Sequence, residues 1–445
     1  MNTNAVRVGF SRADITPLES VPLAGYGNTD RRMSGAILSR LYATCLAFSD
    51  GENKALLFTL DNAGFSDLCD EVLRPAISAA TGIPVGCIHL SCSHTHSAVD
   101  AEKVSIPTVV RYRKQLEARL VLAAVEALQD LSFTRIFAGS YETTGLNFVR
   151  QFIREDGTYC GSNFGNLSTS PIVGYESEAD RMLQLVYFLR EGKKNVILAN
   201  FQGHPHRFGN GKDPTVTADV AAFFRDELER RTDCFVSYVT GASGNENSSS
   251  RIKEDMAAKH PCDHGKLLAD EAFSTFRYMK EVCAEGVSAI SLELEMPLNH
   301  TEDHMVPQAE KIKALWLEHN DSRLCAVEGA PYGINSPYHA TAIIRKAGLP
   351  DSFNFTIHAL KVGGIGIAIV PYEMYDINGL QIKEASPFDL TVIATCTNTM
   401  QGYVPSKLAW EHGGYSCDTT RFCPGSGEEL AEHYLKLLQH LYKGE

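Results

Sequence analysis

The chain has 445 residues, of which 44% are hydrophobic and 21% charged, a composition typical of a folded globular protein rather than a disordered one. Its 54 acidic and 41 basic side chains give a formal net charge of -13, which excludes a basic surface suited to nucleic acid or to an anionic membrane. The sequence shows no signal-peptide pattern and no apolar run of roughly 18 residues, so we expect a cytoplasmic protein without stable membrane association. The twelve cysteines are scattered and form no C-x-x-C pair, which predicts reduced thiols.

Hydrophobic periodicity predicts alternating strands and helices. In chain order it predicts a strand at 55–60, a helix at 68–80, a strand at 87–92, a helix at 112–128, hairpins at 183–201 and 355–370, and further helices at 220–231, 266–279, 306–317 and 428–441. This order predicts an α/β fold with mixed parallel and antiparallel sheets and flanking helices. We expect a single domain over 1–445, with a possible less regular insertion at 284–350.

The segment SCSHTHS, residues 91–97, follows the predicted strand at 87–92 and contains two histidines at i and i+2. Side chains at this spacing point the same way in an extended segment, so His94 and His96 can face one point in space. Other apolar runs also end at polar side chains. The run 195–203 leads to His204, the run 365–371 to Tyr372 and Glu373, and the run 390–402 to Tyr403.

Because ligands in open α/β sheets bind beyond the carboxyl ends of strands, these strand ends are expected to form one site. Two imidazoles, a carboxylate and a phenolate or water are donors that suit Zn2+. Two other histidine clusters compete with this assignment, around His260 and His264 and around His300 and His304. Both lie at predicted helix starts, so capping and loop roles are expected for them.

Several short motifs occur in a fixed order along most of the chain. They are RVGFSRADITP with AGYG at 7–27, the strand ending in Asp61, SHTHS at 93–97, GHP at 203–205 followed by TAD at 217–219, TGASGN at 240–245, VPYE at 370–373 and GYVPS at 402–406. In these motifs the chain resembles the neutral/alkaline, non-lysosomal ceramidase family. The resemblance implies the fold of that family's catalytic domain and one zinc ion per chain.

The resemblance also implies site residues, carried over position by position. The zinc ligands would be His94, His204, Glu373 and Tyr403, the same residues that the strand ends indicate. The other histidine of SHTHS and a tyrosine twelve residues after Tyr403 would line the site as proton-transfer or oxyanion-binding groups. These two residues are His96 and Tyr415. An arginine near the substrate would be Arg150.

The chain departs from the family at a serine that contributes to catalysis in ceramidases. The family segment G-D-V-S-P-N is replaced by Gly244-Asn245-Glu246-Asn247-Ser248, which puts Asn247 at the serine position. The extra C-terminal β-sandwich of secreted ceramidases is also expected to be missing. Ser243 or Ser248 could replace the serine from a shifted loop; that alternative predicts a covalent acyl adduct.

The resulting hypothesis is a zinc-dependent hydrolase that cleaves the amide (N-acyl) bond of a small molecule by a metal-activated water. In it, His96 is the general acid/base and Tyr415 donates to the oxyanion, while Asn247 orients the substrate and Arg150 holds a substrate carboxylate. The alternatives are a zinc-dependent ester, lactone or phosphoester hydrolase, or a non-catalytic metal-binding protein.

Two aspartates could play either of two roles. Asp61 and Asp219 either accept hydrogen bonds that hold a histidine tautomer, or end a strand and cap the following helix. The sequence does not identify the acyl and amine parts of the substrate, the metal bound in the cell, or the oligomeric state.

Overall fold

The computed structural model describes residues 4–26, 32–161, 167–208 and 211–444. Gly27, the last residue of the AGYG motif, lies outside these ranges. The strands are β1 Arg7–Asp14, β2 Tyr42–Ser49, β3 Lys54–Leu60, β4 Ile88–Cys92, β5 Ser132–Glu142, β6 Phe148–Val149, β7 Gln151–Arg154, β8 Tyr159–Gly161, β9 Ile172–Tyr175, β10 Met182–Arg190, β11 Val196–Phe201, β12 Phe235–Thr240, β13 Glu246–Asn247, β14 Lys280–Val282, β15 Val287–Pro297, β16 Ser352–Val362, β17 Ile365–Ile369, β18 Glu373–Met374, β19 Leu390–Ala394 and β20 Tyr403–Val404.

The helices of the described chain include every one that periodicity predicts, together with five that it does not, at 322–329, 337–347, 376–385, 407–412 and 415–419. They are α1 Arg74–Thr81, α2 Pro107–Gln129, α3 Val220–Thr232, α4 Pro261–Thr275, α5 Val306–His319, α6 Ser322–Gly329, α7 Pro337–Ala347, α8 Asp376–Ala385, α9 Lys407–His412, α10 Tyr415–Thr419 and α11 Ser426–Lys443. Pro107, Pro261 and Pro337 each stand in a first helical turn, where the fixed φ of proline suits the helix and no hydrogen bond is lost. The helix predicted at 68–80 starts with a π-helical turn at Cys69–Leu73.

Two sheets carry the core of the described chain. The larger has the strand order β12-β11-β10-β5-β1-β2-β3-β4, with β14 added beside β5, and the smaller has the order β15-β16-β17-β19. The pairs β3–β4, β11–β12 and β17–β19 are parallel, and the other pairs in these sheets are antiparallel. The predicted mixed α/β fold and both predicted hairpins are therefore confirmed.

The sheets pack face to face, with helices on their outer sides. Side chains of both sheets, including Phe48, Leu57, Leu360 and Ile367, share one apolar cluster. Helices α1 and α2 cover one part of the larger sheet, and α3 and α4 cover another. Helices α8 and α11 cover the smaller sheet. Strands β4 and β17 are buried at every position, because both of their faces are covered.

Residues 284–350, predicted as a less regular insertion, have regular structure. The segment contributes β15, an edge strand of the smaller sheet, and then the helices α5, α6 and α7. These helices enclose a small apolar cluster of their own. Two buried side chains of α7 bind the turn before α5, where Glu302 contacts Nε2 of His339 at 2.8 Å and Nζ of Lys346 at 2.7 Å.

The cysteines are all free thiols, and most of them are buried, which agrees with the predicted reduced state. No helix in the described ranges has both the length and the apolar character needed to cross a bilayer.

Candidate metal centre

Three predicted site residues converge where strands of the two sheets end. His94 follows β4 and His204 follows β11, both in the larger sheet, while Glu373 follows β17 of the smaller sheet. Nε2 of His94 lies 3.0 Å from Nε2 of His204. Oε2 of Glu373 lies 3.4 Å from Nε2 of His94 and 3.2 Å from Nε2 of His204. All three side chains are buried.

Main-chain carbonyls fix the tautomers of both imidazoles. Nδ1 of His94 faces the carbonyl oxygen of Ala63, and Nδ1 of His204 lies 2.8 Å from that of Ser243. A carbonyl oxygen can only accept, so each Nδ1 carries a proton and Nε2 is the atom of each ring that faces the other donors. Burial alone would lower the pKa of His94, but Cys396 and Glu373 beside it raise that pKa well above its usual value, so this ring must release a proton from Nε2 before it can bind a metal. Burial lowers the pKa of His204 to about 4, which keeps that ring neutral near pH 7.

Three atoms that can bind a metal, two imidazole nitrogens and one carboxylate oxygen, face one another in a buried space. Burial alone would raise the pKa of Glu373, but the imidazoles of His94 and His204 hold it below its usual value. Oε2 of Glu373 has no hydrogen-bond partner among the described residues. Donor atoms at this separation require a proton or a metal cation between them. Tetrahedral zinc with bonds near 2.0 Å separates its ligand atoms by roughly 3.3 Å, so the donor set fits Zn2+.

His96 is close enough to be an alternative ligand. The ligand nitrogens of His94, His96 and His204 lie within 4.8 Å of one another. The ring centroid of His96 is 5.1 Å from that of His94 and 5.4 Å from that of His204. Burial lowers the pKa of His96 well below its usual value, and its Nδ1 has no hydrogen-bond partner in the described chain. The ring therefore has a free nitrogen beside the donor set.

His206 also lines the site, and the sequence analysis did not identify it. Its ring centroid lies 5.6 Å from that of His96 and 5.8 Å from that of His204. The pattern His204-Pro205-His206 repeats the i, i+2 spacing of SHTHS, and that repetition was the available signal.

Tyr403, Arg150 and Tyr415 form one wall of the site. Glu373 and Tyr403 are register partners in the short parallel pair of β18 and β20, and the Tyr403 ring lies 6.5 Å from that of His204. Cζ of Arg150 lies 4.8 Å above the Tyr403 ring, and Nη2 donates to Oγ of Ser416 at 3.3 Å. The Tyr415 ring packs edge-on against Tyr403 at 5.9 Å. Burial raises the pKa of both phenols, so both keep their proton near pH 7.

The loop 243–248, which contains Asn247, contacts the ligand residues through its backbone. The amide of His204 donates to the carbonyl of Glu246 at 3.0 Å, and that of Gly244 donates to the carbonyl of Met374 at 2.7 Å. Asn247 forms a parallel bridge with His204. The hydroxyl of Ser248 donates to the carbonyl oxygen of His204, so it is already engaged in holding the backbone.

The aspartates Asp61 and Asp219 do not hold the histidine tautomers, and this corrects one of the two readings above. Asp61 forms a buried ion pair with Arg225 at 2.9 Å and accepts a hydrogen bond from the amide of Tyr42. Asp219 caps α3 by accepting from the amide of Val220 at 2.7 Å. The tautomers are held by backbone carbonyls, which carry no side-chain signature in a sequence.

The competing histidine clusters have structural roles. The His260 side chain caps α4, and Nε2 of His264 contacts the carbonyl oxygen of Leu146 at 2.6 Å. Nδ1 of His300 lies 2.8 Å from the carboxylate of Asp303. These contacts match the capping and loop roles expected for both clusters.

The fold is similar to that of two solved ceramidase structures. Neutral ceramidase from Pseudomonas aeruginosa matches with a TM-score of 0.73 and 14% identity, over 99% of this chain and 75% of that chain. A ceramidase complexed with C2 matches with a TM-score of 0.72 and 14% identity, over 99% of this chain and 76% of that chain. No protein-family model and no curated protein matches the sequence. The predicted neutral-ceramidase-like fold is thus confirmed.

Proposed function

We propose that the chain is a zinc-dependent hydrolase that cleaves the amide (N-acyl) bond of a small molecule. The observation that supports this proposal is the set of three buried donor atoms, Nε2 of His94, Nε2 of His204 and Oε2 of Glu373, within 3.4 Å of one another. A bound zinc ion supplies Lewis-acid chemistry there, because it polarises a carbonyl and lowers the pKa of a coordinated water to about 7. The ceramidase fold favours an amide as the bond that is cleaved.

His96 and Tyr415 have the protonation states that amide hydrolysis requires. The neutral ring of His96, with Nδ1 unengaged, can take a proton from the attacking water and return it to the leaving nitrogen. Tyr415 keeps its phenolic proton and can donate it to the oxygen that becomes negative in the transition state. Tyr403 supplies either a fourth ligand or a second donor on the same wall. Asn247, beside His204, orients the substrate.

Metal analysis tests the first half of this proposal. Protein purified without added metal is analysed for its elements as wild type, His94→Ala, Glu373→Ala and His300→Ala. We expect about one zinc per chain in the wild type and in His300→Ala, whose imidazole lies in a separate cluster, and loss of zinc from the other two variants. A wild type that binds no metal even after reconstitution with zinc contradicts the proposal.

His96→Ala separates the two roles available to His96. Retention of zinc with loss of turnover supports proton transfer, whereas loss of zinc makes His96 a ligand.

A panel of N-acyl amides, esters, lactones and phosphoesters on the same preparation tests the reaction class. Turnover of phosphoesters alone rejects amide hydrolysis. An acyl adduct in intact-mass measurements during turnover shows a serine nucleophile instead of water attack.

A further inference from the structure

The candidate metal centre does not share the chain's excess of negative charge. Although the formal net charge is -13, a permanently charged cation, Arg150, lies close to the donor set. The imidazoles of His96 and His206 lie beside it as nitrogen bases. The carboxylate in contact with the two ligand histidines is that of Glu373. A divalent ion bound there would neutralise this carboxylate and leave the site with net positive charge.

Arg150 is a buried cation of this site without an ion-pair partner in the described chain. Only 6% of the residue is exposed, yet in the described ranges no carboxylate forms an ion pair with its guanidinium. Its direct contacts are the face of Tyr403 and the hydroxyl of Ser416, which are neutral. The carboxylate of Glu373 acts on its charge only from beyond ion-pair distance. Other buried cations of the chain, such as Arg225 and Lys346, each have a carboxylate within 3 Å. A buried charge of this kind is costly unless an anion compensates it.

The position of Arg150 places this charge beside the reacting groups. Its guanidinium lies over Tyr403, and the Tyr403 ring is next to both His204 and Tyr415. A planar guanidinium stacked on a ring presents its N–H edge to a planar carboxylate, the geometry in which Arg binds carboxylates through two hydrogen bonds. Nδ1 of His206 is also buried without a hydrogen-bond partner among the described residues and offers a further polar contact.

We propose that the substrate carries a carboxylate next to the scissile amide, as in an N-acyl amino acid, and that Arg150 binds this carboxylate. The inference rests on the proposed function and names its substrate class. In the reaction, the oxygen of water forms a bond to the acyl carbon and the C–N bond breaks. The amino acid nitrogen takes up a proton, and the products are a fatty or other carboxylic acid and a free amino acid.

A matched pair of compounds tests the charge directly. N-hexanoylglycine and N-hexanoylglycinamide have nearly the same size and the same scissile bond, but only the first carries a carboxylate. Their dissociation constants for zinc-loaded protein are measured by calorimetry, and release of glycine or glycinamide is measured separately. We expect the wild type to bind the acid at least about tenfold more tightly than the amide.

Variants of Arg150 identify the origin of this preference. Arg150→Gln should bind both compounds equally and Arg150→Lys should retain part of the preference, while both retain zinc, which shows that the centre is intact. Arg135→Gln, which changes an exposed arginine paired with Glu281, should keep the full preference. Equal binding of acid and amide by wild type, no binding of either at millimolar concentration, or an unchanged preference in Arg150→Gln overturns the inference.

Two further outcomes separate this inference from the proposed function. Selective, Arg150-dependent binding of the acid without hydrolysis supports the carboxylate site and rejects the hydrolase. Hydrolysis of acid and amide at equal rates with equal affinity supports the hydrolase and rejects the carboxylate site. Inorganic phosphate serves as a third probe, and Arg150-dependent binding of phosphate that exceeds binding of the acid also rejects a carboxylate as the ligand.

Discussion

Gly244 packs against the backbone of Glu373 without room for a side chain. A Cβ at position 244 would lie 2.6 Å from the carbonyl oxygen of Glu373 and 2.8 Å from that of Met374. The same loop holds His204 through the carbonyl of Ser243. One loop therefore sets the separation between a histidine of the larger sheet and the carboxylate that follows the smaller sheet.

Gly244→Ala should weaken zinc binding. The added methyl group must displace backbone rather than a flexible side chain, which costs about 1–3 kcal/mol of stability, and the shift moves Glu373 away from the imidazoles. We expect zinc affinity to fall about 10- to 100-fold in competition with a chelator. Gly86→Ala is the matched control, because a Cβ there meets nothing within 4 Å. Equal zinc affinity in both variants would refute the role assigned to this contact.

Asp61→Asn should lower stability but leave the metal centre intact. The substitution leaves the Arg225 guanidinium buried without a full negative charge, and breaking buried pairs of this kind costs about 3–5 kcal/mol. Zinc content should stay that of the wild type, because the histidine tautomers depend on the carbonyls of Ala63 and Ser243. Chemical denaturation and elemental analysis check the two parts. Loss of zinc from a folded Asp61→Asn protein would restore the other reading of Asp61.

Glu302→Gln should destabilise the helices at 306–347, because it leaves the buried ammonium of Lys346 without a carboxylate partner. The Lys346 ammonium is buried and bound to this carboxylate at 2.7 Å, so loss of the partner should cost about 3–5 kcal/mol. The double variant Glu302→Gln with Lys346→Met should recover much of the loss, because it removes the unpaired charge. Thermal unfolding of the two variants provides the measurement. A double variant as unstable as Glu302→Gln would contradict this explanation.

Asp219 should make stability depend on pH. Burial raises its pKa to about 7, well above the value near 4 of the unfolded chain, so the folded state binds this proton more tightly. The contribution to stability is therefore complete below about pH 4 and is lost as pH rises through about 7, by up to about 1.4 kcal/mol per pH unit. Asp219→Asn removes the titration. The stability of wild type minus that of Asp219→Asn should fall between pH 5 and pH 8, and a constant difference would reject the shift.

The sequence predicted those parts of the structure that periodicity and strand ends determine. The long apolar runs gave the hairpins and most helices, and the polar residues after those runs include His94, His204 and Glu373, which the structure brings together. Strand β15 was missed, although ISLELEM at 290–296 alternates between apolar and polar residues as a half-exposed strand does. Without this strand, the segment 284–350 was expected to be a less regular insertion.

The contacts that support the site could not be predicted from residue types. The acceptors for Nδ1 of His94 and His204 are backbone carbonyls, and any residue could supply them. The partner of Asp61 is Arg225, 164 residues away, and no local pattern relates the two. The acceptors of the two imidazoles and the partner of Asp61 could be assigned only from the tertiary structure, because they depend on which loops meet. Hydrophobic periodicity carries little information about loop geometry.

The position of the donors at the junction of two sheets has a consequence for the order of folding. His94 and His204 are 110 residues apart, and Glu373 comes from a sheet that forms only after most of the chain has been synthesised. Long-range contacts of this kind form late, because each requires the closure of a long loop. A nascent chain that ends before β17 would present two of the three donors. The rate of zinc uptake during refolding would therefore report when the two sheets dock.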